Sequence, residues 1–256
     1  MQNDEINVYR FPFTRKDLDV ISKDEAVFLL QIGGLMHEVI SLQKYIYMSI
    51  HNVDNPIERM AENAQVMYFY RLLAGTIFEG WQLLTKRHNE YRIIIAKYKN
   101  KLDTVAETAF NKLQEYFSDK NNSCERIRNK FSHHHDYREI VKIFNKWPKN
   151  DELEIYLSET HANCRYAASD IVTNLSMLGT IELKDMQPKL DNLIKEIDET
   201  ARAFIVVISQ YLSIIFQEIV EKKKLMGQEM KINNVPSLRD LRLRYFVANP
   251  EWRNKK

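Results

Sequence analysis

The chain has 256 residues, 45% of them hydrophobic and 28% charged, the balance of a globular protein rather than a disordered or fibrous one. A net charge of +2 is too mild to predict a nucleic-acid partner from bulk electrostatics, so any basic surface must be local. The two cysteines, Cys124 and Cys164, are isolated and lack CxxC or CxxH spacing. This argues against a disulfide framework and for a reducing cytoplasm, and the polar start Met-Gln-Asn-Asp-Glu is not a secretory signal.

Only 6 Gly and 6 Pro occur, and alternating polar–apolar runs are scarce. Few, long elements are therefore expected, and the fold class is all-α. A first helix is predicted from near Ser22 to His51, opened by the capping-box pair Ser22 and Glu25, with Val27, Leu30, Gly34, Ile40 and Ile46 as its apolar face. Gly33-Gly34 inside it costs roughly 1 kcal/mol per glycine relative to Ala, for which close helix approach compensates. His37, in phase with Leu30, Gly33 and Ile40, reads as a core histidine.

A second helix is expected from Pro56, with proline in its first turn and a stripe of Ala61, Ala64, Tyr68, Leu72, Gly75 and Leu83. Glu79 falls on that stripe between Phe78 and Trp81, where a carboxylate must be paired or protonated. It supports either a catalytic group or a nearby Lys or Tyr. The aromatic run Met67–Arg71 offers stacking surfaces for unpaired bases or packing surface for the core. A third helix is predicted over about Glu90–Ser118, ended by the polar stretch Ser118–Ser123.

The fourth helix starts near Ser123, with Ile127 and Phe131 facing the core. The apolar rhythm lapses through Ser132–Asp136, and Asp136 with Glu139 forms a capping-box-like pair before Ile140, Phe144 and Trp147. After the connection Trp147–Asp151, helices are expected near Asp151–Leu178 and Asp185–Met226. The apolar run Ala203–Val220 is interrupted by Ser209, Gln210, Ser213, Gln217 and Glu218, whereas a span wants roughly 18–20 uninterrupted apolar residues. A helix buried on most of its circumference explains it better than a membrane span. Asn233–Pro236 leads into a basic C-terminal piece. The expected organisation is one all-helical domain over 1–256, with 180–256 a C-terminal helical cover.

The chemistry concentrates in Arg126-Ile-Arg-Asn-Lys-Phe-Ser-His-His-His-Asp136. A permanently charged guanidinium, Arg128, stands within a few residues of imidazoles that titrate near neutral pH. Attack of an RNA 2′-hydroxyl on its own phosphate needs those two capabilities: one group to move protons and one cation to hold the charge that builds. Residues five apart on a straight helix point about 140° from each other, so a kink or turn at the histidines would let His133 return toward Arg128.

Arg128-Asn129-Lys130-Phe131-Ser132-His133 resembles the Arg-x4–6-His signature of HEPN domains, with a polar residue directly after the arginine, and the His-Asp continuation is closest to the abortive-infection and toxin-type branch. The resemblance implies a bundle of long antiparallel helices, here with additional C-terminal helices. It also implies a metal-independent RNA endonuclease with no cofactor, acting as a toxin or phage-defence effector. Arg128 would bind the scissile phosphate, His133 would act as general acid or base, and Asn129 would orient one of them. The active unit would be a homodimer, with RNA as substrate and an antitoxin protein as partner.

Alternatives stay open. His134 and His135 also satisfy versions of the spacing from Arg128, and Arg126 reaches His133 within it. The arginines and histidines also suit surface ion-pairing and capping, and His133, His135 and Asp136 suit metal binding less well, because adjacent histidines seldom converge on one ion. Tyr137, four residues beyond His133, is a candidate for nucleotide transfer by a partner. A non-catalytic helical module binding nucleotide, RNA or a protein would carry the same residues. Basic groups at Lys97, Lys99 and Lys101, at Lys222–Lys224, and at Arg239, Arg242, Arg244, Arg253, Lys255 and Lys256 suit phosphate contacts or a solvated face.

Overall fold

A computed structural model describes residues 4–132, 137–150, 152–179 and 186–248. The fold is all-α, as the scarcity of Gly and Pro implied, with one two-stranded sheet beside the helices. In chain order the elements are β1 (Asp4–Arg10), α1 (Lys23–Ser49), α2 (Pro56–Gln82), α3 (Asn89–Lys99), α4 (Thr104–Tyr116), α5 (Ser123–Ile127), α6 (Tyr137–Lys146), α7 (Ala167–Leu178), α8 (Met186–Lys223) and β2 (Gln228–Val235). Two compact units share them. Unit 1 comprises Met1–Ser41, Thr76–Asn122 and Glu199–Leu241, and unit 2 comprises Leu42–Gly75, Ser123–Asp198 and Arg242–Lys256.

The predicted helix starts are built as the residue types dictate. The Ser22 N–H donates to Glu25 Oε2 at 2.8 Å and the Glu25 N–H to Ser22 Oγ at 3.2 Å, a reciprocal capping box at the head of α1. Pro56 occupies the first position of α2, where Asn55 Oδ1 accepts from the Ile57 and Glu58 N–H groups at 2.9 and 3.2 Å. The expected third helix is two. Asp103 stops it by capping a fresh start, its carboxylate accepting from Ala106 N–H at 2.7 Å. Of the helix expected over Asp151–Leu178 only α7 forms, and Tyr156 and Arg165 instead exchange backbone hydrogen bonds at 2.7 Å in both directions.

The two-stranded sheet has no local signature. Asp4–Arg10 pairs antiparallel with Gln228–Val235, placing Ile6 opposite Ile232 and Val8 opposite Met230. Partners so distant in sequence leave no hairpin turn to read.

Unit 1 packs α1, α2, α3, α4 and the second half of α8. Phe28 and Tyr91 meet edge-on at 5.0 Å, and Trp81 stacks on Phe117 at 5.2 Å. The predicted faces of α1 and α2 hold only in part: Ile46, Ala61 and Gly75 are buried, but most of the expected residues are not. Val27 is 40% exposed and Leu30 61%, whereas Phe28, Ile32 and Val39 are fully buried; on α2 the buried side carries Leu73, Ala74, Ile77 and Trp81, and Tyr68 faces out. His37 is exposed and is not a core histidine. The close approach expected at Gly33-Gly34 occurs at Gly80, where an added Cβ would stand 2.3 Å from Phe204 Cζ and 2.6 Å from Leu35 Cδ2.

Helix α8 is not buried around most of its circumference. Its zero-exposure residues Ala201, Phe204, Val207, Ile208, Tyr211, Ile215 and Ile219 follow one stripe. By length and composition, Lys23–Ser49 and Gln187–Lys223 are each apolar enough to cross a membrane.

Unit 2 is built on the end of α1, the first half of α2, α5, α6, α7 and the start of α8. Ile127, Phe131, Ile143, Leu175, Met177 and Ile197 form its core. The C-terminal arginine-rich piece docks here: Leu243 N–H donates to Met48 O at 2.8 Å, Tyr245 OH to Cys164 O at 2.9 Å, and Arg244 pairs with Glu58 at 2.7 Å.

Candidate functional site

Helix α5 is short and firmly fixed. At its start, Ser123 directs its N–H and its hydroxyl onto the two oxygens of Glu196, at 3.0 and 2.8 Å. An acceptor for the first-turn donors is what a helix N-terminus lacks, and a carboxylate there also favours the helix dipole. Cys124 and Ile127 are fully buried and Phe131 nearly so, which anchors one side of the segment as its spacing implied.

From Arg128 to Ser132 the backbone widens into a π-helical turn. Such i→i+5 turns are rare and recur at functional sites. Arg128 opens it half-buried, and its Nη1 donates to Oδ1 of the exposed Asn129 at 3.1 Å. The polar residue after the arginine thus accepts a hydrogen bond from the guanidinium. Lys130 reaches across to α6, its Nζ 3.0 Å from Glu139 Oε1, where Lys142 also binds at 2.9 Å. Hydrogen bonds from Lys142 and then Lys130 hold the Glu139 carboxyl below its ordinary range against a small desolvation effect.

His133, His134, His135 and Asp136 lie outside the described residues. Arg126 is half-buried, and its Nε has no acceptor among the described residues. Tyr137, the first residue of α6, is 78% exposed, so a modifying enzyme would reach it. Glu79 belongs to unit 1, whereas Arg128 belongs to unit 2. Its Oε2 accepts from Arg87 Nη2 at 2.7 Å, so an arginine, rather than the Lys or Tyr expected, balances this carboxylate.

Unit 2 holds a second polar group that pattern reading passed over. Arg165 is 2% exposed, its Nη2 lies 3.3 Å from Asp170 Oδ2 and its Cζ 5.7 Å from the Tyr245 ring centre, while Nε and Nη1 have no hydrogen-bond acceptor among the described residues. Burial pushes the Asp170 carboxyl up, and Arg165 and Arg71 oppose that rise. His51 Nε2 stands 2.8 Å from Glu62 Oε1, both side chains 3% exposed, in an approach not aligned as a hydrogen bond. Arg244 Nη1 also reaches Glu62 Oε1, at 3.2 Å. His51, Glu62, Arg165 and Asp170 share no motif spacing, and the only signal in the sequence was the phase of Glu62 beside Ala61 on α2.

No protein-family model, curated protein or solved structure matches the chain.

Proposed function

We propose that the chain is a metal-independent RNA endonuclease of the HEPN type, acting in the cytoplasm as a toxin or phage-defence effector. Arg128 binds the scissile phosphate and stabilises the charge that accumulates on it, His133 moves the proton between the 2′-hydroxyl, or the leaving 5′-oxygen, and solvent, and Asn129 orients the guanidinium. The observation that carries this reading is the Arg128–Asn129 hydrogen bond at the mouth of a π-helical turn on an all-α scaffold. A turn with i→i+5 spacing brings residues five apart closer to one face than a straight α-helix does; His133, five beyond Arg128 in the sequence, lies outside the described residues. Polar residues along the apolar run of α8, including Glu218 bound to Lys222 at 2.7 Å, weigh against a membrane span.

Arg128→Ala and His133→Ala are each expected to reduce cleavage of a total-RNA substrate by ~10²-fold or more. Activity should persist in excess chelator, and the products should end in a cyclic phosphate. Helical content by circular dichroism should not change. Both variants cutting at the parental rate would sink the assignment.

A non-catalytic binding module is the second reading, favoured by the cavity of unit 2, apolar-walled with a few polar groups, that the nuclease chemistry does not use. Growth arrest on expression, abolished by His133→Ala, decides for the enzyme.

A further inference from the structure

Arg165, Asp170, His51 and Glu62 line one cavity of about 570 Å³ within unit 2. That volume lies in the range of small-molecule sites, which combine a mostly apolar wall with a few placed polar groups. The wall here comes from Met60, Met67, Ile171, Leu190 and Ile194. On its lining lies the Arg165 guanidinium, 2% exposed, with Nη2 3.3 Å from Asp170 Oδ2, its Cζ 5.7 Å from the Tyr245 ring centre, and Nε and Nη1 without an acceptor among the described residues. Buried polar groups are normally satisfied, so donors left over on a buried cation call for a partner.

The charged residues on the lining are Arg59 and Arg165 against Glu62 and Asp170, and Arg244 from outside it also holds Glu62. The lining is therefore neutral when His51 is neutral, and what selects the ligand is Arg165 together with the apolar wall. The planar guanidinium suits a carboxylate, and the methionine- and leucine-rich wall suits a hydrocarbon or aromatic body.

We infer that the Arg165 cavity is a binding site for a small amphipathic monocarboxylate, its carboxylate on Arg165 and its apolar body against Met67, Leu190 and Ile194. The inference stands whether or not Arg128 and His133 cleave RNA.

The test uses the full chain with octanoate and phenylacetate, their neutral amides octanamide and phenylacetamide, and inorganic phosphate, read by calorimetry and by shift of the unfolding temperature. At least one carboxylate should bind with one-to-one stoichiometry, its amide about tenfold or more weaker, and phosphate should not displace it. Leu190→Trp fills the cavity from its half-exposed wall and should abolish binding while circular dichroism stays parental. Arg165→Lys keeps the charge but loses the planar donors, and should weaken binding about tenfold. Arg128→Ala should leave it unchanged, which separates this site from the proposed nuclease site. No binding by either carboxylate, equal binding by acid and amide, displacement by phosphate, or binding that survives Leu190→Trp would each overturn the assignment.

Discussion

Two buried charged groups, one in each unit, were built to opposite rules. In unit 1 the Glu25 carboxylate is 4% exposed and fully engaged. It accepts from the Ser22 N–H, from the Tyr98 hydroxyl at 2.8 Å and from Lys97. Tyr98 also faces Glu218 at 3.0 Å, and Lys222 closes the chain of contacts on that second carboxylate. In unit 2 the Arg165 guanidinium is buried more deeply still, yet beyond Asp170 and the Tyr245 ring its Nε and Nη1 find no acceptor among the described residues. A matched network fixes helices in place, whereas an unmatched one gives up stability for something else. The contrast separates scaffold from candidate site without appeal to resemblance.

The largest expected effect falls on the matched side. Burial raises the Glu25 carboxyl, but hydrogen bonds from Lys97, Ser22 and Tyr98 outweigh it and leave the pKa at about 2. A depressed carboxylate contributes stability that is present above its unfolded value of 4.5 and is lost as pH falls toward about 2. Glu25→Gln should destabilise by about 2–3 kcal/mol at pH 7 in denaturant unfolding. That difference should shrink between roughly pH 4.5 and 2. A pH-independent difference would mean that Glu25 acts through packing alone.

The unmatched side should respond in the other direction. Replacing the pair outright, as Arg165→Met with Asp170→Leu, should leave the ligand-free protein as stable as the parent or more so by about 1–3 kcal/mol. A loss of that size would place Arg165 with the scaffold and erase the contrast. Smallest of all is the solvent-facing ion pair beside the nuclease candidate. Lys130→Ala should cost about 0.5 kcal/mol or less, because Lys130 is 39% exposed and Lys142 still serves Glu139. A cost well above 1 kcal/mol would show that the pair fixes the π turn rather than decorating it.

How far the sequence could be read follows the range of the interactions. Ser22 with Glu25 and Asn55 with Pro56 announced two helix starts, because a cap is satisfied within three residues. That Glu25 also receives Lys97 and Tyr98 could not be seen, since those partners lie on another helix. The faces of α1 and α2 were only partly legible because apolar residues run consecutively in both, as in Val27–Leu30 and Leu72–Ala74, so Leu30 and Phe28 were equal candidates for the core. Asp103, a strong cap inside a continuous apolar pattern, was read as part of one helix. Around the candidate nuclease site, the buried Ile127 and Phe131 and the break leading up to Ser123 were legible. The widening of the turn at Arg128 was not, because no residue type marks a π turn. The Arg165 cavity was invisible for the same reason as the Glu25 network: its members come from separate stretches that only folding assembles.

One consequence of the β1–β2 ribbon concerns when it forms. Arg10 sits opposite Gln228 and Ile6 opposite Ile232, so zipping the two strands must wait until nearly the whole intervening polypeptide has been gathered. Closure entropy grows only slowly with such length, but a lone pair of strands adds little of its own. The ribbon should therefore be the last part to zip and the first to exchange its amide hydrogens, peeling away while the helices behind it keep theirs.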